Sequence, residues 1–295
     1  MYCNQGFKNM VCTDLIYNKY LFWYLRGKKE YLNSLGRGAT FKEISKSIVE
    51  DILIPLPPLD IQKQIAHELD TVSELLALRK QQLKELDQLI MSVFYEMFGD
   101  PVMNEKGWYL HTLSSLSNEK LSYGSGVPAI DYDGETRYIR ITDINDDGTL
   151  NLNLVSPQKN EDKYILQDGD ILFARSGATV GKTLRYRSEY GRSIYAGYLI
   201  RMIPNTSRVL PDYIYYFTKT NYYNNFIESN KKTVAQPNIN AQQFGSLIIG
   251  VPPLSLQNIF VENVKEIESQ KALVKQAIDE TQLLFDSLMS KYFDD

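Results

Sequence analysis

Apolar side chains recur every three and four residues over a long stretch in the first third of the chain. Positions 69, 72, 76, 79, 83, 86, 90, 93 and 97 hold Leu, Val, Leu, Arg, Leu, Leu, Ile, Val and Met. This is a heptad seam with one polar break, at Arg79. Pro57 and Pro58 stop any earlier helix, and Asp60 is suited to cap a new one. The pattern predicts one helix over 60–98, roughly 60 Å long at about 1.5 Å per residue. A second seam runs through Val264, Ile267, Lys271, Val274, Ile278, Thr281, Phe285, Leu288 and Tyr292, and its polar breaks at Lys271 and Thr281 are suited to set a register. Neither helix can bury its stripe alone, so the two are expected to pair with each other or with a partner chain.

Between the seams the pattern shortens. "FGDPVMNEKGW" (98–108) is rich in turn residues and reads as a boundary. Residues 109–251 then read as a mixed domain of short strands: "RYIRITDI" (137–144), "DILFA" (170–174), "TLRYR" (183–187) and "YLIRMI" (198–203), with helical pieces around 211–229. "DINDDGTL" (143–150) resembles a calcium loop through Asp143, Asn145 and Asp147, but Leu154 stands where the twelfth-position Glu belongs, so a hairpin turn is expected. The fold class is α+β, a mixed domain joined to long helices.

The chain also repeats itself. "IPLPPLDIQKQIAHELD" (54–70) aligns without gaps on "IGVPPLSLQNIFVENVK" (249–265), an offset of 195 residues that also carries Gln62 to Gln257, Ala77 to Ala272 and Phe98 to Phe293. Upstream, "YLFWY" (20–24) resembles "YIYYF" (213–217) after a two-residue slip. One unit is therefore present twice.

Composition changes this picture in one place. The net charge is −4, yet residues 171–232 carry ten Lys and Arg against Glu189, Asp212 and Glu228, a local balance of +7. Local fields decide where a polyanion docks, although a solvated basic face accounts for the run equally well. No apolar run approaches membrane-spanning length, and a soluble, cytoplasmic protein is expected. Cys3 and Cys12 form no metal pattern and read as reduced thiols. "RSGATVGKT" (175–183) comes near a P-loop but lacks its first glycine, since Ser176 holds that place, and the residues after Thr183 read as strand rather than helix. His67 and His111 have no nucleophile to pair with, and the two Pro-Pro pairs lack the Asn or Asp before them that an amino-group methyltransferase carries. No metal, cofactor or catalytic residue is expected.

The "IPLPPLxxQ" opening of a long helix, together with a mixed domain bearing "GDILFARSGATVGK", resembles the specificity subunit of type I restriction–modification systems, and the resemblance covers nearly the whole chain. It implies a non-catalytic subunit whose target-recognition domains read double-stranded DNA. It also implies long helices pairing as an antiparallel coiled coil, and docking to methyltransferase (M) subunits and through them to the restriction (R) subunit. Mapped onto this chain, 1–54 is the last part of a first recognition domain, 55–100 a spacer helix, 101–251 a complete recognition domain and 252–295 a second spacer helix. A family member with one complete domain is expected to act as a homodimer or beside a complementing half-subunit. Against the family pattern the front of the first recognition domain is missing from this sequence, so the competing expectations are an N-terminally truncated coiled-coil assembly subunit and a silent cassette product, without DNA recognition of its own.

The resemblance places the turn holding Arg175, Ser176, Gly177, Thr179, Gly181 and Lys182 against DNA. Small residues let backbone amides approach a phosphate, and Arg175 and Lys182 add charge. The alternative is a hairpin turn whose glycines serve only geometry. Arg137 and Arg140 fall on opposite faces of their strand, so at most one reaches a base, with Thr142 beside it. "KKTVAQPNINAQQ" (231–243) offers Lys231 and Lys232 beside Gln236, Asn238 and Asn240, whose amides suit adenine in the major groove. Its counterpart in the first copy, "GRGATFKEIS" (36–45), offers Arg37, Thr40 and Lys42.

Overall fold

The computed structural model describes residues 7–36, 43–231 and 237–294. Its α-helices among those residues are α1 (Asn18–Gly27), α2 (Lys29–Leu35), α3 (Lys46–Glu50), α4 (Leu59–Phe98), α5 (Pro211–Phe217), α6 (Asn221–Asn230), α7 (Ala241–Gly245) and α8 (Leu254–Phe293). The chain divides into two compact units, Met1–Leu86 with Ser269–Asp295, and Asp87–Glu268. The division falls inside α4 and inside α8, not at the turn-rich stretch 98–108.

Both seams form helices of forty residues, each beginning directly after its Pro-Pro pair. Asp60 lies inside the first turn of α4, where its charge meets the helix N-terminus, and is not the cap. In the first unit the helices run antiparallel: the Tyr292 hydroxyl donates to Glu68 at 2.5 Å, and farther along the Arg79 guanidinium donates to the Ala277 carbonyl and the Thr281 hydroxyl. The polar break of one seam thus meets a polar break of the other. Around the Glu68 end, Tyr20, Trp23 and Tyr24 of α1 pack with Ile65, Ala66, Leu69 and Phe293.

The second unit holds the strands. They are β1 (Tyr109–Thr112), β2 (Ser122–Tyr123), β3 (Ala129–Asp131), β4 (Arg137–Ile139), β5 (Val155–Pro157), β6 (Ile171–Ala174), β7 (Thr183–Arg185), β8 (Ser193–Tyr195), β9 (Leu199–Met202) and β10 (Ile248–Val251). The main sheet is antiparallel in the order β2-β9-β6-β7, while β1 pairs with β10, β3 with β5, and β4 in parallel with β8. Strand β6 is apolar at every position and fully buried, as a strand covered on both faces must be. Its neighbour β9 contributes Arg201, whose guanidinium reaches the buried Asp170 carboxylate at 2.7 Å.

The expected strand 137–144 stops at Ile139. The Asp143 carboxylate accepts bonds from the Arg140 backbone N–H and from its Nε and Nη2, and this folds 141–143 into a 3-10 turn. Residues 143–150 form the expected hairpin turn, closed by the Asn145 N–H on the Thr149 carbonyl, with Gly148 at φ +79°.

The repeat is visible in the hydrogen bonding. Buried Gln62 accepts the Tyr17 N–H and donates to the carbonyls of Leu15 and Pro57. Buried Gln257 accepts the Leu210 N–H and donates to the carbonyls of Arg208 and Pro252. The two-residue slip lies between the chain segment each glutamine holds and the helix it sits on. Tyr20 donates to the Pro55 carbonyl as Tyr213 does to that of Gly250.

Candidate nucleic-acid interface

The turn after β6 is closed by its own backbone. Gly181 donates to the Ala174 carbonyl and Ala174 to that of Lys182, with Gly177 at φ +69° and Gly181 at φ +91°. A Cβ on Gly181 would stand 2.9 Å from Ile227, and the Gly181 carbonyl accepts the buried Tyr223 hydroxyl, so this glycine serves close packing. A Cβ on Gly177 would meet nothing within 4 Å. The Thr179 hydroxyl donates back to the Ser176 carbonyl.

Across the turn lies the segment that begins at Pro237. Gly177 donates to the Pro237 carbonyl at 3.2 Å, Ile239 donates to the Arg175 carbonyl at 2.9 Å, and Ser176 pairs with Asn238 as an antiparallel bridge. Two stretches that the sequence offers separately are therefore one structural element. Asn238 accepts the Arg175 Nε–H at 3.1 Å, and the Arg175 guanidinium lies over the Tyr123 ring at 4.6 Å. The Tyr123 hydroxyl in turn accepts the Ala241 N–H at 3.0 Å.

Arg175 lines a groove of about 660 Å³. Arg140 and Thr142 line it too, with Ser125, Gly126 and the exposed Tyr198. Arg140 faces Asp143 through two charged bonds, and Arg137 is buried with its Nη2 on the Asn151 carbonyl. The Thr142 hydroxyl lies 3.5 Å from the same Asp143 carboxylate.

The remaining residues singled out lie elsewhere. Lys182 turns toward Asp146 at 2.7 Å and the Ile144 carbonyl at 3.2 Å, and Lys231 pairs with Glu228 at 2.6 Å. Both lysines border a cavity of about 320 Å³ with Lys219. Burial pushes the Lys219 ammonium pKa down to about 8, with Asp147 and Asp146 opposing and Lys182 adding to the fall. Asn240 caps α7 by accepting the Gln243 N–H, while the Gln243 side chain accepts the Asn240 N–H. Lys232, Gln236, Arg37, Thr40 and Lys42 lie outside the described residues. Sequence reasoning missed Tyr123, Tyr198 and Lys219. Only Lys219 left a trace, as one of the ten basic residues of 171–232.

The model of the type I restriction modification DNA specificity domain matches residues 1–88 and 111–282. The chain belongs to this family. Among curated relatives, the EcoBI specificity subunit of Escherichia coli is 23% identical over 94% of this chain and 65% of its own length. The MjaIX specificity subunit of Methanocaldococcus jannaschii is 30% identical over 42% of this chain and 32% of its own. The chain thus spans under two thirds of the length of these relatives. The solved S subunit of a type I restriction–modification system from M. genitalium shares the fold, with a TM-score of 0.63 at 18% identity over 94% of this chain and 72% of that one. In this specificity-domain chain no helix among the described residues is long and apolar enough to cross a membrane.

Proposed function

We propose that this chain is the non-catalytic DNA-recognition subunit of a cytoplasmic type I restriction–modification complex. It reads one DNA half-site with the unit Asp87–Glu268 and docks M subunits, and through them the R subunit. The observation that carries this reading is the composite element of the 175–182 turn and the 237–240 segment, which holds Arg175, from the basic stretch 171–232, at a groove that Arg140 and Thr142 also line. Lys182 and Lys231 support it. Their partners Asp146 and Glu228 are largely exposed. Such pairs contribute only about 0–1 kcal/mol and leave the lysines open to exchange onto phosphates.

The same ion pairs favour a second reading, an assembly subunit in which the basic groups are already neutralised and only the helices matter. Co-expression with its M subunit, followed by mapping of adenine methylation across the host genome, separates the two. New methylation at a gapped motif is expected. A palindromic motif assigns one half-site to each of two copies of this chain, and an asymmetric one assigns the other half to a complementing chain. No added methylation sinks the DNA-reading proposal in favour of the assembly subunit.

A further inference from the structure

We infer that Arg175 reads a guanine base edge and that Tyr123 and Asn238 are its positioning residues. This rests on the DNA-reading proposal above and gives one base of the target a named reader. An arginine recognises guanine when two of its N–H groups meet O6 and N7 together, and that requires a fork held in one orientation. Arg175 has such a fork. Its Nε–H is taken by the Asn238 side-chain oxygen at 3.1 Å, and one guanidinium face lies on the Tyr123 ring at 4.6 Å. Tyr123 is itself anchored by the Ala241 N–H on its hydroxyl. Among the described residues neither terminal nitrogen of Arg175 has a hydrogen-bond partner. Among the described residues the Nη1/Nη2 end is therefore left for a ligand, with the guanidinium oriented by two contacts before binding.

The other arginines near the groove lack this property. Arg140 spends its Nε and Nη2 on Asp143, and Arg137 is buried against the Asn151 carbonyl. Much of the turn's own hydrogen bonding is internal. The amides of Gly177, Val180, Gly181 and Lys182 donate to Pro237, Gly177, Ala174 and Thr179 carbonyls. With those four amides engaged, the turn serves first as a platform for a side chain.

The test uses the full chain in complex with its M subunit. Methylated motifs and duplex affinities, across single-base variants of the motif and across salt, are compared for the unaltered chain and for Arg175→Lys, Arg175→Ala, Tyr123→Phe, Tyr123→Leu and Asn238→Ala. Arg175→Lys keeps the charge but loses the fork. It is expected to lower discrimination at one G·C pair roughly 10- to 100-fold while the rest of the motif and the salt slope stay unchanged. Tyr123→Leu and Asn238→Ala are expected to relax the same pair, and Tyr123→Phe, which keeps the ring but loses its anchor at Ala241, to relax it less than Tyr123→Leu does. A motif untouched in Arg175→Lys overturns the assignment. So does uniform weakening in Arg175→Ala with a salt slope smaller by about one, the mark of a phosphate contact. A target without a G·C pair overturns it as well. If the unaltered complex neither methylates nor discriminates among duplexes, the DNA-reading proposal itself fails, a result distinct from all of these.

Discussion

Lys219 carries its charge against the preference of its surroundings, and the consequence is a pH dependence of stability. Its folded pKa lies near 8, set first by burial, against an ordinary value of 10.5. Between those two values the unfolded chain holds a proton that the folded chain has released, so stability contributed by this residue rises with pH from about 8 upward. The buried tyrosines work in the opposite sense. Burial raises Tyr213 and Tyr223 above their ordinary value of 10, so that above pH 10 the unfolded chain ionises first and stability falls. Urea unfolding followed through α5 and α6 is expected to show stability climbing from pH 8 and turning over near 10. Lys219→Met should be more stable than the parent below pH 8, with the gap closing as pH rises. A gap that stays constant would mean that Lys219 is not the titrating group. Lys219 was legible only as one of many basic residues, because its burial depends on α5 and on the hairpin at 143–150, which the sequence does not visibly bring together.

At the scale of elements, the seams were the most legible feature, since a 3.5-residue repeat over nine positions has few other physical solutions. The repeat drifts at its end. Phe94 and Phe98 are buried where the seam names Val93 and Met97, which are only half-buried, because a straight helix turns every 3.6 residues and slides off a strict heptad. The short elements of the second unit were less legible. Strand β4 ends early for a single carboxylate, Asp143, and Arg175 meets Asn238 across 63 residues through loop closure, which local pattern does not encode. Where the sequence marked polar breaks, the helices use them: Arg79 of α4 bonds Thr281 and the Ala277 carbonyl of α8. This contact is expected to set register more than stability. In Arg79→Leu the Thr281 hydroxyl keeps its own bond to Ala277. The double variant Arg79→Leu/Thr281→Val should therefore unfold with stability unchanged or higher by about 1 kcal/mol, as for other polar contacts replaced by apolar ones of similar volume. Its cost should appear in pairing. Crosslinking of Glu68→Cys to Tyr292→Cys with a short bifunctional thiol reagent, long enough to span the side chains the two cysteines replace, is expected to give a lower yield in that background. An undiminished yield would assign register to the apolar layers alone.

At the scale of the molecule, the repeat is a packing solution used twice. In the first unit the helix beginning held by Gln62 lies with Tyr20 and Tyr24, and Phe293 completes the cluster at 5.8 and 5.7 Å from their rings. In the second unit the helix beginning held by Gln257 lies with Tyr213 and Phe260, and Phe98 completes that cluster at 4.9 and 5.2 Å. Since Phe98 and Phe293 are equivalent in the repeat, each cluster takes its helix start from one copy and its closing aromatic from the other. An antiparallel helix pair produces this exchange, and no single copy can complete a cluster alone. Ending the chain after Asp286 would remove Met289, Tyr292 and Phe293 from the first unit only. Burying aromatics of this size is worth about 3–5 kcal/mol each against alanine, so α1 should lose its order while the second unit keeps its own set of rings. Hydrogen exchange is expected to show α1 amides of the shortened chain exchanging at near-unfolded rates while α5 and β6 retain full protection. Loss of protection in α5 as well would sink the idea that each cluster stands on its own aromatic set. Full protection in α1 would show that Gln62 and the Tyr20 bond to Pro55 suffice to hold it.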